Sequence, residues 1–258
     1  MALRRVAVGP LPSGPVPAVF VHGVPETAHV WEPLRSHLGR SDSLALALPG
    51  FGTDRPEGFT ATKDAYVDWL IAELESIGEP VDLVGHDWGG ILVPRVVSLR
   101  PDLVASWVTD CIGVLAPDYA WHTFARIWQT PGDGEMFWEQ QLGALDEWAD
   151  GFVAMGVPEA DAQQIVAAVD HTMAQCILDL YRSALAVNEE WGPDTEGIEV
   201  PGLALVATAD PFVDVEHQRT AAERAGARVL PLEGESHWWM LTISGEAAAT
   251  LESFWTFG

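Results

Sequence analysis

Lysine is almost missing from this chain: Lys63 is the only one among 258 residues. Lys and Arg together number 13 against 38 acidic residues, for a net charge of −25. A field of that sign repels nucleic acid and anionic membrane surfaces, so neither is expected as a partner. The acidity reads first as a solubility feature, and a preference for neutral or cationic substrates stays open. No apolar run approaches the roughly 18 residues that a membrane span needs. Met1–Pro10 carries Arg4 and Arg5 but no long apolar stretch and no small-residue cleavage site, so a secretory signal is not expected. Cys111 and Cys176 are the only cysteines; so few thiols read as reduced, which predicts a cytoplasmic protein. Metal-ligand spacings, phosphate loops and dinucleotide fingerprints are also missing, so neither metal nor cofactor is expected.

What is present is enough apolar material, 48% of residues, to build a substantial core. Short apolar runs alternate with longer helical ones, the pattern of a parallel sheet flanked by helices. Ala18–Val21, Ser43–Leu48, Val81–Val84, Trp107–Thr109, Leu203–Ala207 and Arg228–Leu230 are the expected strands. Helices are expected at Tyr66–Ile77, from the elbow at Asp87 to about Leu99, and at Glu246–Trp255. Between them, residues 112–197 lack a convincing strand and hold Trp121, Trp128, Trp138, Trp148 and Trp191. This block predicts a helical cap inserted into a core made of residues 1–111 and 198–258.

The chemistry concentrates where a strand meets a tight turn: Gly85-His86-Asp87-Trp88-Gly89-Gly90. Glycines let the turn pass close to a helix, and its apex is pushed out at the carboxyl end of the sheet. That is the nucleophile elbow, with aspartate where serine is usual. A carboxylate can displace a leaving group from a saturated carbon and become an alkyl ester. Water must then attack that ester, which calls for a general base and an oxyanion hole. His237, after the last expected strand, is the candidate base. Asp210 and Asp110 compete to orient it, and the usual order of nucleophile, acid and histidine favours Asp210. Backbone N–H groups of Trp88 and Val24 are the candidate hole, with Gly23 allowing the turn before Val24.

Taken together, His22-Gly23-Val24-Pro25-Glu26, Pro49-Gly50-Phe51-Gly52, the Asp87 elbow and Ser236-His237-Trp238 resemble the epoxide hydrolase and haloalkane dehalogenase branch of the α/β-hydrolase superfamily. The resemblance implies an α/β-hydrolase fold and an enzyme; a hydrolase-fold protein that binds a small molecule without turnover is the less favoured alternative, since it would have no need for Asp87. For an epoxide hydrolase it implies cap tyrosines that protonate the opening epoxide. Tyr181 matches one such position; at the other, Phe137-Trp138 stand where a tyrosine is expected, leaving His122, His171 or Tyr119 to substitute. A haloalkane dehalogenase would instead hold halide through Trp88 and a cap tryptophan. His22, Trp121, Trp128, Trp138 and Trp238 are the candidate substrate-binding residues. The implied partner is a small apolar molecule, aromatic ones included, and a homodimer is compatible with the sequence.

Overall fold

Six runs pair into one parallel sheet: β1 (Ala18–Val21), β2 (Ser43–Leu46), β3 (Val81–Gly85), β4 (Val104–Thr109), β5 (Gly202–Ala207) and β6 (Arg228–Leu232), in the order β2-β1-β3-β4-β5-β6. The computed structural model describes residues 16–257, and the Met1–Pro10 stretch considered for a secretory signal lies outside them. β1, β3 and β5 are buried along their whole length. Strands covered on both faces read as continuous apolar runs, which is why these were legible.

β4 starts three residues earlier than Trp107, at Val104. Ser106 hides that start in the sequence, because a hydroxyl inside a buried strand looks like a break. The structure satisfies it: Ser106 Oγ donates to Asp82 Oδ1 of β3 at 2.7 Å, and Arg40 reaches Asp82 Oδ2 at 3.2 Å.

The chain runs from β1 outward to β2, then returns to lay β3 on the other side of β1. The connections after β1 and β3 therefore diverge, opening a crevice at the carboxyl ends of the strands. Register puts Val21 beside Gly85, so His22 and His86 leave the sheet side by side.

Helices α1 (Glu32–Arg35), α2 (Lys63–Ile77) and α3 (Trp88–Leu99) pack against this frame. Thr62 accepts a hydrogen bond from Ala65 N at 3.3 Å and caps α2 one turn before Tyr66, while Gly78 ends it in the left-handed conformation. Its buried face carries Tyr66, Leu70 and Leu74; each leucine contributes about 1.5–3 kcal/mol by burial.

α3 contains Pro94, which cannot donate to the carbonyl of Gly90. Thr109 at the end of β4 takes over, its hydroxyl donating to Gly90 O at 2.5 Å.

Between β4 and β5 the described chain is helical: α4 (Thr123–Gln129), α5 (Asp133–Leu142), α6 (Leu145–Ala154), α7 (Glu159–Ala167), α8 (His171–Arg182) and α9 (Val187–Trp191). The chain ends through α10 (Val215–Ala225), α11 (Trp239–Thr242) and α12 (Ser244–Phe257). Among the described residues no helix is long and apolar enough to cross a membrane.

Candidate active site

Asp87 sits between β3 and α3 at φ 50°, ψ −118°, a backbone conformation that side chains rarely adopt. Such a residue stores about 1–3 kcal/mol of strain. Its surroundings hold it there: Asp87 N donates to Asp110 Oδ1 at 2.9 Å, and its carbonyl accepts from Ile91 N at 3.0 Å. The flanking glycines are steric requirements. A Cβ on Gly85 would meet Gly89 O at 2.2 Å, and one on Gly89 would meet Val21 O at 2.1 Å.

The two carboxylate oxygens of Asp87 face different partners. Oδ1 accepts a 2.8 Å hydrogen bond from Val24 N. Oδ2 lies 3.8 Å from His237 Nε2, beyond direct hydrogen-bond reach but suited to a water between them. Trp88, the first residue of α3, has an N–H with no acceptor inside its own helix. Burial pushes the Asp87 pKa up to about 6 against the opposing pull of His237 and His86.

His237 Nδ1 donates to Asp210 Oδ2 at 2.8 Å, leaving Nε2 as the acceptor aimed at Asp87. Asp210 is itself fixed, its Oδ1 accepting from Phe212 N at 2.7 Å. Burial works to lower the His237 pKa, but the Asp210 carboxylate outweighs it and the pKa ends above the ordinary value. Rings of Phe212 and Trp238 pack edge-on against the imidazole at 4.9 and 4.8 Å.

Asp110, the other candidate for orienting His237, is occupied elsewhere. It bonds His86 Nδ1 and accepts from Trp239 Nε1 at 2.9 Å. On its far side His86 Nε2 meets Glu26 Oε1 at 3.1 Å, where Trp238 Nε1 also donates at 2.6 Å. Burial opposes charge on all three residues. The mutual pairing prevails: the His86 pKa rises well above its ordinary value, Asp110 falls to about 2 and Glu26 falls as well. An imidazolium between two carboxylates thus lies under the elbow, its ring 4.6 Å from that of His237. Sequence reading placed Glu26 and His86 in motifs without giving them this role. No spacing in the sequence joins them: His86 and Asp110 directly follow β3 and β4, while Glu26 lies five residues beyond β1.

A cavity with about 70 Å³ of free space opens above Asp87, lined by Val24, His122, Trp128, Tyr181, His237 and Trp238 among others. Of the expected pocket residues, Trp128 and Trp238 do line it. Trp121 lies behind, stacked on Trp88 with its N–H donated to Ala184 O at 3.2 Å, and Trp138 stacks behind Trp128. His22 is a correction. Its Nδ1 donates to Gly23 O at 2.8 Å and its Nε2 accepts from Leu48 N at 3.0 Å, so both nitrogens brace the β1 and β2 loops rather than a substrate. Burial lowers its pKa to about 4, keeping it neutral.

The residues considered as a second proton donor also separate. His171 is exposed, and neither it nor Tyr119 lines the cavity. His122 does line it. Its Nδ1 caps α4 by accepting from Ala125 N at 3.3 Å, which assigns the ring proton to Nε2. Burial holds its pKa down at about 4, so it is a neutral N–H donor.

An elbow aspartate, a histidine with its acid partner and a parallel sheet are features of one family, and its sequence profile, "Alpha/beta hydrolase family", matches residues 18–250. The chain belongs to the alpha/beta hydrolase family.

Within this family it is similar to Epoxide hydrolase A of Mycobacterium tuberculosis, 28% identical over 98% of this chain and 94% of that protein. It is also similar to Lipase LipV of the same organism, 39% identical but over 38% of this chain and 37% of that protein. Solved structures share the hydrolase fold. An epoxide hydrolase from Bacillus megaterium gives a TM-score of 0.76 at 18% identity, covering 93% of each chain. The haloalkane dehalogenase DbeA from Bradyrhizobium elkani gives 0.71 at 17%, covering 96% of this chain and 94% of its own. These relatives support hydrolase activity in the epoxide hydrolase and haloalkane dehalogenase branch.

Proposed function

We propose that the chain is an epoxide hydrolase that works through an alkyl ester on Asp87. The observation that carries this reading is the divided carboxylate: Oδ1 is held by Val24 N at 2.8 Å, while Oδ2 is left to the cavity and His237. In the first step Oδ2 attacks an epoxide carbon and the carbon–oxygen bond breaks. Tyr181 and His122, both at the cavity wall, meet the alkoxide with O–H and N–H donors. Burial and the Asp87 charge push the Tyr181 phenol well above its ordinary pKa. Its part is therefore a strong hydrogen bond that passes the proton only as the alkoxide forms, a later transfer than an ordinary phenol allows.

In the second step water between His237 and Asp87 attacks the ester carbon. Nε2 of His237 takes the water proton, and Asp210 stabilises the imidazolium. Negative charge develops on Oδ1, where Val24 N and Trp88 N receive it. Collapse breaks the Cγ–Oδ2 bond as the His237 imidazolium returns its proton to the departing oxygen; a vicinal diol leaves, and the proton on the new Asp87 carboxyl replaces the one given up by Tyr181.

Apart from Asp87 and His237 the wall is mostly apolar and aromatic, which favours an uncharged substrate. The free space of about 70 Å³ is under half of the roughly 150 Å³ cavity that holds benzene. Small aliphatic epoxides fit as the site stands, and aromatic ones require the cap to shift.

A second reading, haloalkane dehalogenase, is favoured by one observation: the indole N–H of Trp128 is buried at the cavity wall without an acceptor. Matched epoxide and haloalkane panels, followed by diol and halide release, separate the two. Replacing His237 with Gln should trap the ester on Asp87 for intact-mass detection. An unmodified variant after exposure to a proven substrate would count against both readings.

A further inference from the structure

Cys111, at the carboxyl end of β4, is a free thiol 1% exposed, and the steps above give it no part. Its Sγ, a carboxylate oxygen of Asp210 and a ring nitrogen of His237 all lie within 4.8 Å of one another. These three residues are far apart in sequence, so no ligand spacing could reveal them. We propose that Cys111, Asp210 and His237 form a site for a thiophilic divalent cation, Zn²⁺ or Cd²⁺, whose binding blocks turnover by withdrawing His237.

The donor set suits such an ion. Thiolate, imidazole and carboxylate are the groups that Zn²⁺ prefers, at bond lengths of about 2.0–2.3 Å. Those bonds set the ligand atoms roughly 3.5 Å apart, so an edge of the present triangle needs to close by about 1.3 Å at most. Binding sends the thiol proton to solvent and leaves a thiolate on the metal, while the single ring proton of His237 stays on the nitrogen that faces away from the ion.

The charge around the thiol points the same way. The carboxylates of Asp110, Asp210 and Asp87 act on the thiol, and their charge attracts a dication. The Tyr119 hydroxyl, which feels Cys111, Asp87 and Asp210, is buried without a partner. The neighbouring triplet of Glu26, His86 and His237 is a weaker candidate. Both His86 nitrogens there are already bonded to carboxylates.

Two binding measurements test the site without relying on activity. Chelator-treated protein should take up Zn²⁺ in competition with a chromophoric chelator, and Cd²⁺ should give a thiolate charge-transfer band in the near ultraviolet. Cys176→Ala leaves Cys111 as the sole thiol and should keep both signals. Cys111→Ala should lose the band and bind Zn²⁺ at least about tenfold more weakly, the smallest loss that removing even an outer partner brings.

Unchanged Zn²⁺ affinity in Cys111→Ala, or no band in Cys176→Ala, would overturn the site. The block on turnover rests on the hydrolase reading. Zn²⁺-loaded protein that still turns over would overturn that half alone. A parent protein inert before metal is added would count against the hydrolase reading, and the binding measurements would still decide the site.

Discussion

Asp110 is bonded to His86, while Asp210, 2.8 Å from Nδ1, is bonded to His237. The two carboxylates end neighbouring strands yet serve different imidazoles. Asp210→Asn should therefore slow hydrolysis of the ester so that alkylated protein accumulates, read by intact mass during turnover. Asp110→Asn should leave the ratio of alkylation to hydrolysis near that of the parent. Its cost should fall on stability, because breaking a buried ion pair costs about 3–5 kcal/mol. The Tm should drop by roughly 2–4 °C for each kcal/mol. The opposite ranking would hand the orienting role to Asp110.

Loss of the phenol in Tyr181→Phe should slow alkylation by epoxides about 100-fold, within the range for a general acid, and barely affect haloalkanes, whose halide leaves without a proton. His122→Ser keeps an N-cap for α4 while removing the Nε2–H donor. It should slow epoxide opening with little change in Tm, measured by single-turnover kinetics beside thermal unfolding. Parent-rate opening by both variants would remove the epoxide reading's support.

The ionised form of Asp87 is the nucleophile, and its pKa is about 6. Alkylation should thus be on a plateau above that pH and fall about tenfold per unit below it. The limb belongs to the Asp87–His237 pair rather than to one residue. Its sign follows from requiring Asp87 deprotonated. Rate profiles between pH 4 and 9, taken with a neutral substrate, check this, and alkylation that rises as pH falls would contradict it.

Thr109→Val keeps the shape of the β4 end but leaves the Gly90 carbonyl, freed by Pro94, without a donor. A buried unsatisfied carbonyl costs about 1–3 kcal/mol, again read as a fall in Tm.

How much of this was legible depended on the range of the interactions involved. Ala18–Val21 has the same bounds in sequence and structure because four apolar residues in a row, ended by His-Gly, leave no other reading. The glycines around Asp87 announced the elbow, since close backbone contact needs glycine whatever follows. Ser106 concealed the start of β4, because its partner, Asp82, lies on another strand. For the same reason the His86 network was invisible: Glu26, His86 and Asp110 meet only once register sets β1, β3 and β4 side by side. The tryptophans were countable but not assignable. Trp128 faces the cavity and Trp138 stacks behind it, a difference fixed by how α4, α5 and α8 pack and not by spacing along the chain.

The hold of Val24 N on Oδ1 distinguishes two oxygens that are chemically equal in a free carboxylate. On the proposed reaction, the oxygen that departs with each product is Oδ2, and the vacancy is filled by the water of that same turnover. Every product molecule then carries an atom delivered one cycle earlier, so the protein keeps an isotopic memory of its previous water. In heavy-oxygen water the first product should emerge unlabelled and the second labelled. With no flip of the side chain between cycles, Asp87 should never gain more than one heavy oxygen.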